Sequence, residues 1–246
     1  MKNFMAQILI ASALTAQVAC TAPAINPPFK GTEADAAIQK ARSLPGFNAA
    51  NFLPGPATER PPLLKTAAEI SAALEKGGYI IYMRHGRTRY EQVELERDNR
   101  AKGIFDLNKC ETQRSLSNEG RSAMKISGDT FRKLNVPIDQ KFVSLYCRAI
   151  ESANYYVDEA KTTLMLSGEA QVGKDPAQKS RTINFLSQAP SAGKNHFMMA
   201  HGGIFWEATG FVIQEEHAVL LDPRDLRTLV ARIAPDEWKL INIRHH

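Results

Sequence analysis

Two arginines and two histidines, scattered over more than a hundred residues, are the side chains most able to do chemistry here. Arg84 and His85 stand together in Arg84-His85-Gly86, Arg148 follows Cys147, and His201 opens His201-Gly202-Gly203. A guanidinium presents paired N–H donors that match a tetrahedral oxyanion, and a phosphoryl group in transfer spreads negative charge over three such oxygens. An imidazole can act as a covalent nucleophile and split one difficult displacement into two easier ones. A second imidazole can donate to a phosphoryl oxygen. Glycine beside each histidine lets backbone approach a ligand, and a helix N-terminus nearby adds free N–H groups. Each piece alone says little. Arg-His-Gly arises by chance in about one or two per hundred chains of this size, a lone His201 is commonly a structural histidine, and a lone Arg148 is commonly a surface charge.

The hydrophobic pattern says whether the four can meet. Thr66 reads as the cap of a helix running to about Lys76, stopped by Gly77-Gly78. Tyr79 to Met83 is short, apolar and β-rich, as a strand buried on both faces should be. Ser117 caps a predicted helix over 118–134, which Asn135-Val136-Pro137 closes. Lys141 to Tyr146 reads as a second strand followed by a helix from about Arg148 to Ala160. Another helix falls between Asp175 and Gln188, a third strand covers His196 to Ala200, and a helix follows from Gly203 to about Ile213. Ala218 to Leu221, Thr228 to Ile233 and Trp238 to Ile243 read as edge strands. Strands alternating with helices predict a three-layer α/β/α sandwich around a mostly parallel sheet. Ligands of such sheets collect beyond the carboxyl ends of the strands, where Arg84-His85, Arg148 and His201 would all fall.

With that placement, YIIYMRHGRTR, SLYCRAIESA and FMMAHGG resemble the three motifs of the histidine phosphatase superfamily, in its phosphoglycerate mutase-like branch without a large cap domain. DLNKCETQRSLSNEGR, EEHAVLLDP and LVARIAPDEW also resemble a bacterial subgroup of exported or lipoprotein members. The likeness covers about Tyr79 to Ile243. It implies that His85 is the residue phosphorylated, that Arg84, Arg148 and His201 bind the phosphoryl group, and that no cofactor is needed.

The departures narrow what carries over. The superfamily's Ser-Pro before its second arginine is Ser144-Leu145 here, and Arg87 and Glu91 stand where mutase-like members have Glu or Gln and Asn, which argues against mutase activity. Arg87 or Arg89 would suit a more anionic substrate, or simply lie in a solvated loop. A leaving alkoxide calls for a general acid, usually a carboxylate after the second arginine. Glu169 is taken as the candidate proton donor, with Asp175 and Glu151 as alternatives.

The first twenty residues, with Lys2, an apolar run from about Met5 to Ala16 and small residues up to Cys20, have the layout of a secretory signal. Val18-Ala19-Cys20 resembles a lipobox in which Gln17 replaces the usual aliphatic residue, so Cys20 is a candidate lipidation site. Cleavage near Ala22 or Ala24 is the alternative. Residues 21–65 are rich in Pro, Gly and Ala and read as a tether, with one short helix near Thr32 to Ser43, ahead of a catalytic domain over 66–246. With Cys20 removed or acylated, Cys110 and Cys147 are left as one pair for a disulfide in an oxidising compartment, or as two reduced thiols. The expected location is the periplasm, free or held to the membrane by an N-terminal lipid.

The chain has 246 residues, 43% of them hydrophobic, enough for one sizeable core. Lys and Arg exceed Asp and Glu by 31 to 26, a modest basic excess that fits an anionic small molecule. Its basic residues form no stripe with interleaved aromatics, so nucleic acid is not the expected partner. His85, His196, His201 and His217 show no metal-ligand spacing, His217 fits a polar rim, and His245-His246 is an inert terminal pair. The sequence therefore predicts an exported phosphomonoesterase using a phosphohistidine, acting on a phosphorylated small molecule or envelope component. The rival is a catalytically idle module of the same fold that binds a phosphate ligand or a protein.

Overall fold

Local sequence sets the first element almost by itself. In the computed structural model, which describes residue 64, residues 66–168 and residues 178–244, Thr66 closes a reciprocal cap with Glu69 at the start of helix α1 (Ala67–Lys76). The Thr66 hydroxyl accepts from the Glu69 N–H at 3.2 Å, and the Glu69 carboxylate accepts from the Thr66 N–H at 2.9 Å. Gly77 ends the helix at φ +71°, and a Cβ there would lie 2.4 Å from the Lys194 nitrogen, so only glycine fits. The proposed leader, Cys20, the tether with its short helix, Glu169, Asp175 and His245-His246 lie outside the described residues.

The chain continues through β1 (Ile80–Arg84), α2 (Gln92–Ala101), α3 (Asn118–Leu134), β2 (Ile138–Ser144), α4 (Cys147–Tyr156) and β3 (Lys161–Thr163). After α5 (Gln178–Leu186) come β4 (Asn195–Ala200), α6 (Gly202–Thr209), β5 (Ala218–Asp222) and β6 (Asp225–Ile233). The six strands form one sheet in the order β3-β2-β4-β1-β5-β6. β1, β2, β3 and β4 run parallel, while β5 and β6 add as antiparallel neighbours beyond β1.

Alternation along the central strands divides two cores. Ile81, Met83, Phe197 and Met199 point to the face covered by α1, α3 and α4, with Leu74, Met124, Phe131 and Tyr156. Ile80, Tyr82, Met198 and Ala200 point to the other face, with Leu186, Ile204 and Phe205 of α5 and α6. The result is a three-layer α/β/α sandwich with a mostly parallel sheet. α3 and α4 approach closely at Gly128, where a Cβ would stand 2.4 Å from the Tyr155 carbonyl oxygen.

Four expectations change. β5 lies between β1 and β6 and is not an edge. Residues 238–243 form no strand; a 3-10 turn at Glu237–Leu240 instead drives Trp238 into the core beside Phe131, ring centroids 5.0 Å apart. The helix expected to reach Ala160 stops at Tyr156, where the chain turns extended toward β3. The helix expected to reach Ile213 stops at Thr209, because Gly210 takes up a left-handed conformation at φ +82°.

Candidate active site

Arg84 ends β1, His85 follows it, and His201 follows β4 as the N-cap of α6, so these residues leave adjacent parallel strands at the same edge. Arg148 lies one strand further along, in the first turn of α4 after β2. The sheet therefore brings together the four residues singled out by type. The His85 and His201 rings are 5.1 Å apart between centroids, and Arg148 Nε donates to His85 Nε2 at 3.3 Å.

His85 is fixed on its other side. Its Nδ1 lies 2.8 Å from the Gly86 carbonyl oxygen, which can only accept. The proton therefore sits on Nδ1, and the Nε2 lone pair is directed at Arg148. Gly86 is held by its N–H, which donates to the Ser152 hydroxyl at 3.0 Å, and the His85 carbonyl accepts from the Glu216 N–H at 3.2 Å. A methyl on Gly86 would fall 2.6 Å from the Met124 side chain and 3.3 Å from the Gly120 carbonyl oxygen, so a larger residue here would have to displace core packing.

Charge around the rings is strongly positive. Burial first, then Arg148, the facing His201, Arg84 and Arg114, holds the His85 pKa well below the usual histidine value. Burial, Arg148, Arg114 and Arg84 do the same to His201. Both rings are neutral at neutral pH, the state in which an imidazole can serve as a nucleophile or as a hydrogen-bonding partner. Burial and the charge of Arg114 lower Arg148 to about 10, against the opposing pull of Glu96. It remains a cation.

Each arginine is tied to a carboxylate or carbonyl. Arg84 donates from Nη1 to the Ile213 carbonyl at 3.0 Å and from Nη2 to Glu215 at 3.2 Å. Arg148 Nη1 donates to Glu96 at 3.0 Å, and its guanidinium stacks 4.2 Å over the Tyr146 ring, which packs edge-on against His201 at 4.5 Å. Among the described residues four buried polar side-chain atoms have no hydrogen-bond partner, and two of them are Arg84 Nε and Arg114 Nε. Buried donors are expensive to leave unmatched, so two orphaned guanidinium N–H groups beside a neutral imidazole pair describe a cradle for an anion.

Ser144 and Leu145 both hydrogen-bond within this loop, and only the bond from Leu145 would be lost with proline in its place. The Ser144 hydroxyl and His201 Nε2 are hydrogen-bonded at 2.8 Å, and the Leu145 N–H donates to the Ser167 hydroxyl at 3.0 Å, a bond proline lacks. Cys110 and Cys147 form a disulfide, with Cα atoms 5.6 Å apart, joining the segment after α2 to the residue preceding Arg148.

The remaining candidates lie elsewhere. Glu151 pairs with Arg121 of α3 at 2.6 Å. Arg87 forms a two-pronged ion pair with Glu216. The Arg89 N–H donates to the Ser115 carbonyl, and Glu91 sits at the N-cap of α2. His196 is buried in β4 against Phe142, and half-buried His217 donates from Nδ1 to the Glu215 carbonyl. Among the described residues no three His, Cys, Asp or Glu side chains gather as a metal would require.

Sequence reasoning missed Glu96, Arg114, Tyr146 and Glu215. Arg114 stands in the quoted stretch TQRSLSNEGR but carries no local sign of pointing inward. Glu96 and Arg100, four apart in ELERDNR, are an ion-pair signature of a helix, and the pair forms at 3.0 Å.

No family model matches this sequence, and no curated protein does. Among solved structures, the protein histidine phosphatase SixA complexed with tungstate is similar over 65% of this chain and 98% of its own, at 12% identity and a TM-score of 0.43. A phosphoglycerate mutase from Thermus thermophilus is similar over 63% of this chain and 98% of its own, at 16% identity and a TM-score of 0.40.

Proposed function

We propose that this protein is a phosphomonoester hydrolase of the histidine phosphatase type, working through a phosphohistidine on His85. The observation that carries this reading is the His85 ring: its proton is pinned on Nδ1 by the Gly86 carbonyl, and its Nε2 lone pair is held only by a long 3.3 Å bond from Arg148 Nε, which a phosphoryl group entering the site would take over. In the first step the Nε2 lone pair forms a bond to phosphorus while the bond from phosphorus to the ester oxygen breaks, and that oxygen leaves with its electron pair and gains a proton. The ring becomes cationic on phosphorylation, and the Gly86 carbonyl stabilises it through the Nδ1 proton. Arg84, Arg114, Arg148 and His201 hold the three non-bridging oxygens, where their worth is greatest because water is excluded. Water then attacks phosphorus and gives a proton back to the group that protonated the leaving oxygen, the P–N bond breaks with its electrons returning to Nε2, and inorganic phosphate leaves.

The substrate class is a phosphorylated small molecule or envelope component, met outside the cytoplasm. Support for that location is the signal-like stretch ending at Cys20 and the pairing of Cys110 with Cys147. Glu169 is the carboxylate proposed to protonate the leaving oxygen.

p-Nitrophenyl phosphate tests the reading. The mature domain should turn it over, retain activity in a chelator, and lose at least ~10³-fold in His85→Ala, because that variant removes the nucleophile itself. Acid-labile, alkali-stable phosphate should be trapped on the wild-type chain during turnover. Phosphate binding without turnover across a panel of esters would instead identify the idle binding module.

A further inference from the structure

The geometry points to Glu96, on α2, as the positioning residue that sets both Arg148 and Arg114 in the phosphate cradle. The inference rests on the phosphohistidine reading above and assigns that site a residue outside its three motifs. One carboxylate accepts three bonds at once. Arg148 Nη1 reaches Oε2 at 3.0 Å, the Arg114 backbone N–H reaches the same oxygen at 2.9 Å, and Arg100 Nη2 reaches Oε1 at 3.0 Å. Glu96 is buried, at 8% exposure, and so is Arg148, at 4%.

Each bond has a distinct consequence. Arg148 has two fixed directions: Nη1 goes to Glu96 and Nε to His85 Nε2, so the carboxylate defines how the fork lies against the nucleophile. The bond to the Arg114 N–H holds the backbone that delivers the second guanidinium. Arg100 closes a ring of contacts, because its Nη2 also donates to the Tyr146 hydroxyl at 2.7 Å, and Tyr146 lies under Arg148 and beside His201. Burial alone would raise the Glu96 pKa, but Arg148, the Arg114 N–H and Arg100 outweigh it and keep the group ionised. It is thus a fixed anion that gathers cations, and its protons are not in play.

Glu96→Gln keeps the shape and one acceptor but removes the charge. Inorganic phosphate is the probe, titrated by calorimetry into the wild-type protein and the variant, with p-nitrophenyl phosphate kinetics alongside. The expected result is a Kd for phosphate and a KM each raised by ~10-fold or more, with kcat falling less, because anchoring of the anion is lost while the His85 ring stays in place. Glu96→Asp should recover part of the loss. Combined with Arg148→Lys, Glu96→Gln should cost much less than the product of the two single losses, since it acts through the residue already changed. A merely structural role would lower the melting temperature of Glu96→Gln while leaving its Kd and KM at the wild-type values. If Glu96→Gln does not fold, Glu96→Asp carries the same comparison. Equal phosphate affinity in wild type and variant would overturn the role of Glu96 alone, whereas a wild-type protein that binds no phosphate would overturn this inference together with the reading it rests on.

Discussion

Gly202→Ala separates the architecture of the site from the stability of the fold. Gly202 is the first residue of α6, next to His201, and its backbone is in a conformation that alanine adopts without strain. A Cβ there would lie 3.1 Å from Arg84 Nη1, 3.3 Å from Cζ and 3.4 Å from Cδ. Normal separation needs about 3.5 Å or more, so the guanidinium must retreat by roughly 0.4 Å. It cannot retreat freely, because Nη1 is held by the Ile213 carbonyl and Nη2 by Glu215. Weakening one charge-assisted hydrogen bond costs on the order of 1 kcal/mol, which is about fivefold in rate. The kcat/KM for p-nitrophenyl phosphate should therefore fall about 3- to 10-fold. The unfolding midpoint should change little, because the ~1 kcal/mol lost with the weakened hydrogen bond is offset by the comparable helix preference of alanine over glycine. A variant with wild-type kcat/KM would refute the claim that Arg84 is held at the position where it works, and a large fall in unfolding midpoint would refute the packing argument.

Two further outcomes follow from the same contacts. Reducing Cys110–Cys147, which closes a loop of sequence separation 37, should cost roughly 4 kcal/mol of stability on a chain-entropy estimate, and should weaken phosphate binding because the bridge joins the Glu96 and Arg114 segment to the residue before Arg148; thermal melts and phosphate titrations with and without dithiothreitol, with mass measurement of the thiols, would contradict this if neither moved. Because the folded state depresses His85 and His201 while the unfolded chain titrates near 6.5, the unfolded state takes up protons first as pH falls, so stability should drop below about pH 6.5 by up to ~1.4 kcal/mol per pH unit for each ring. Urea unfolding at pH 6.5 and 5.0 should show a smaller drop in His85→Asn, and an unchanged drop would refute the neutral assignment of that ring.

The sheet, and the meeting of four chemically able residues at one of its edges, were legible because the elements that carry them obey strong local rules. Thr66 and Ser117 have the oxygen an N-cap needs, Asn135 takes the left-handed turn, and the apolar runs of β1 and β4 could only be buried on both sides. Arg84, His85, Arg148 and His201 could be placed because each adjoins one of these readable strands. The segment from Gln92 to Arg114 was opaque for the opposite reason. The buried residues of α2 are Glu96 and Asn99, so the inward face of this helix is polar and leaves no apolar period to detect. Such a helix is shaped by what it covers, and only the tertiary structure shows that it covers arginines. Residues 238–243 misled in the complementary way, since an apolar stretch long enough for a strand is used to plug Trp238 into the core.

One contact away from the site fixes where the chain enters the fold. The Leu64 N–H donates to the Val230 carbonyl at 2.8 Å, beside β6, at the level where β5 pairs with Ile80 and Ile81. His85 lies four residues beyond Ile81, about 13 Å further along the strand direction. The described chain thus enters the fold at the outer flank of the sheet, behind the strand ends that bear Arg84, His85 and His201, so the edge where those residues gather is remote from the point of entry.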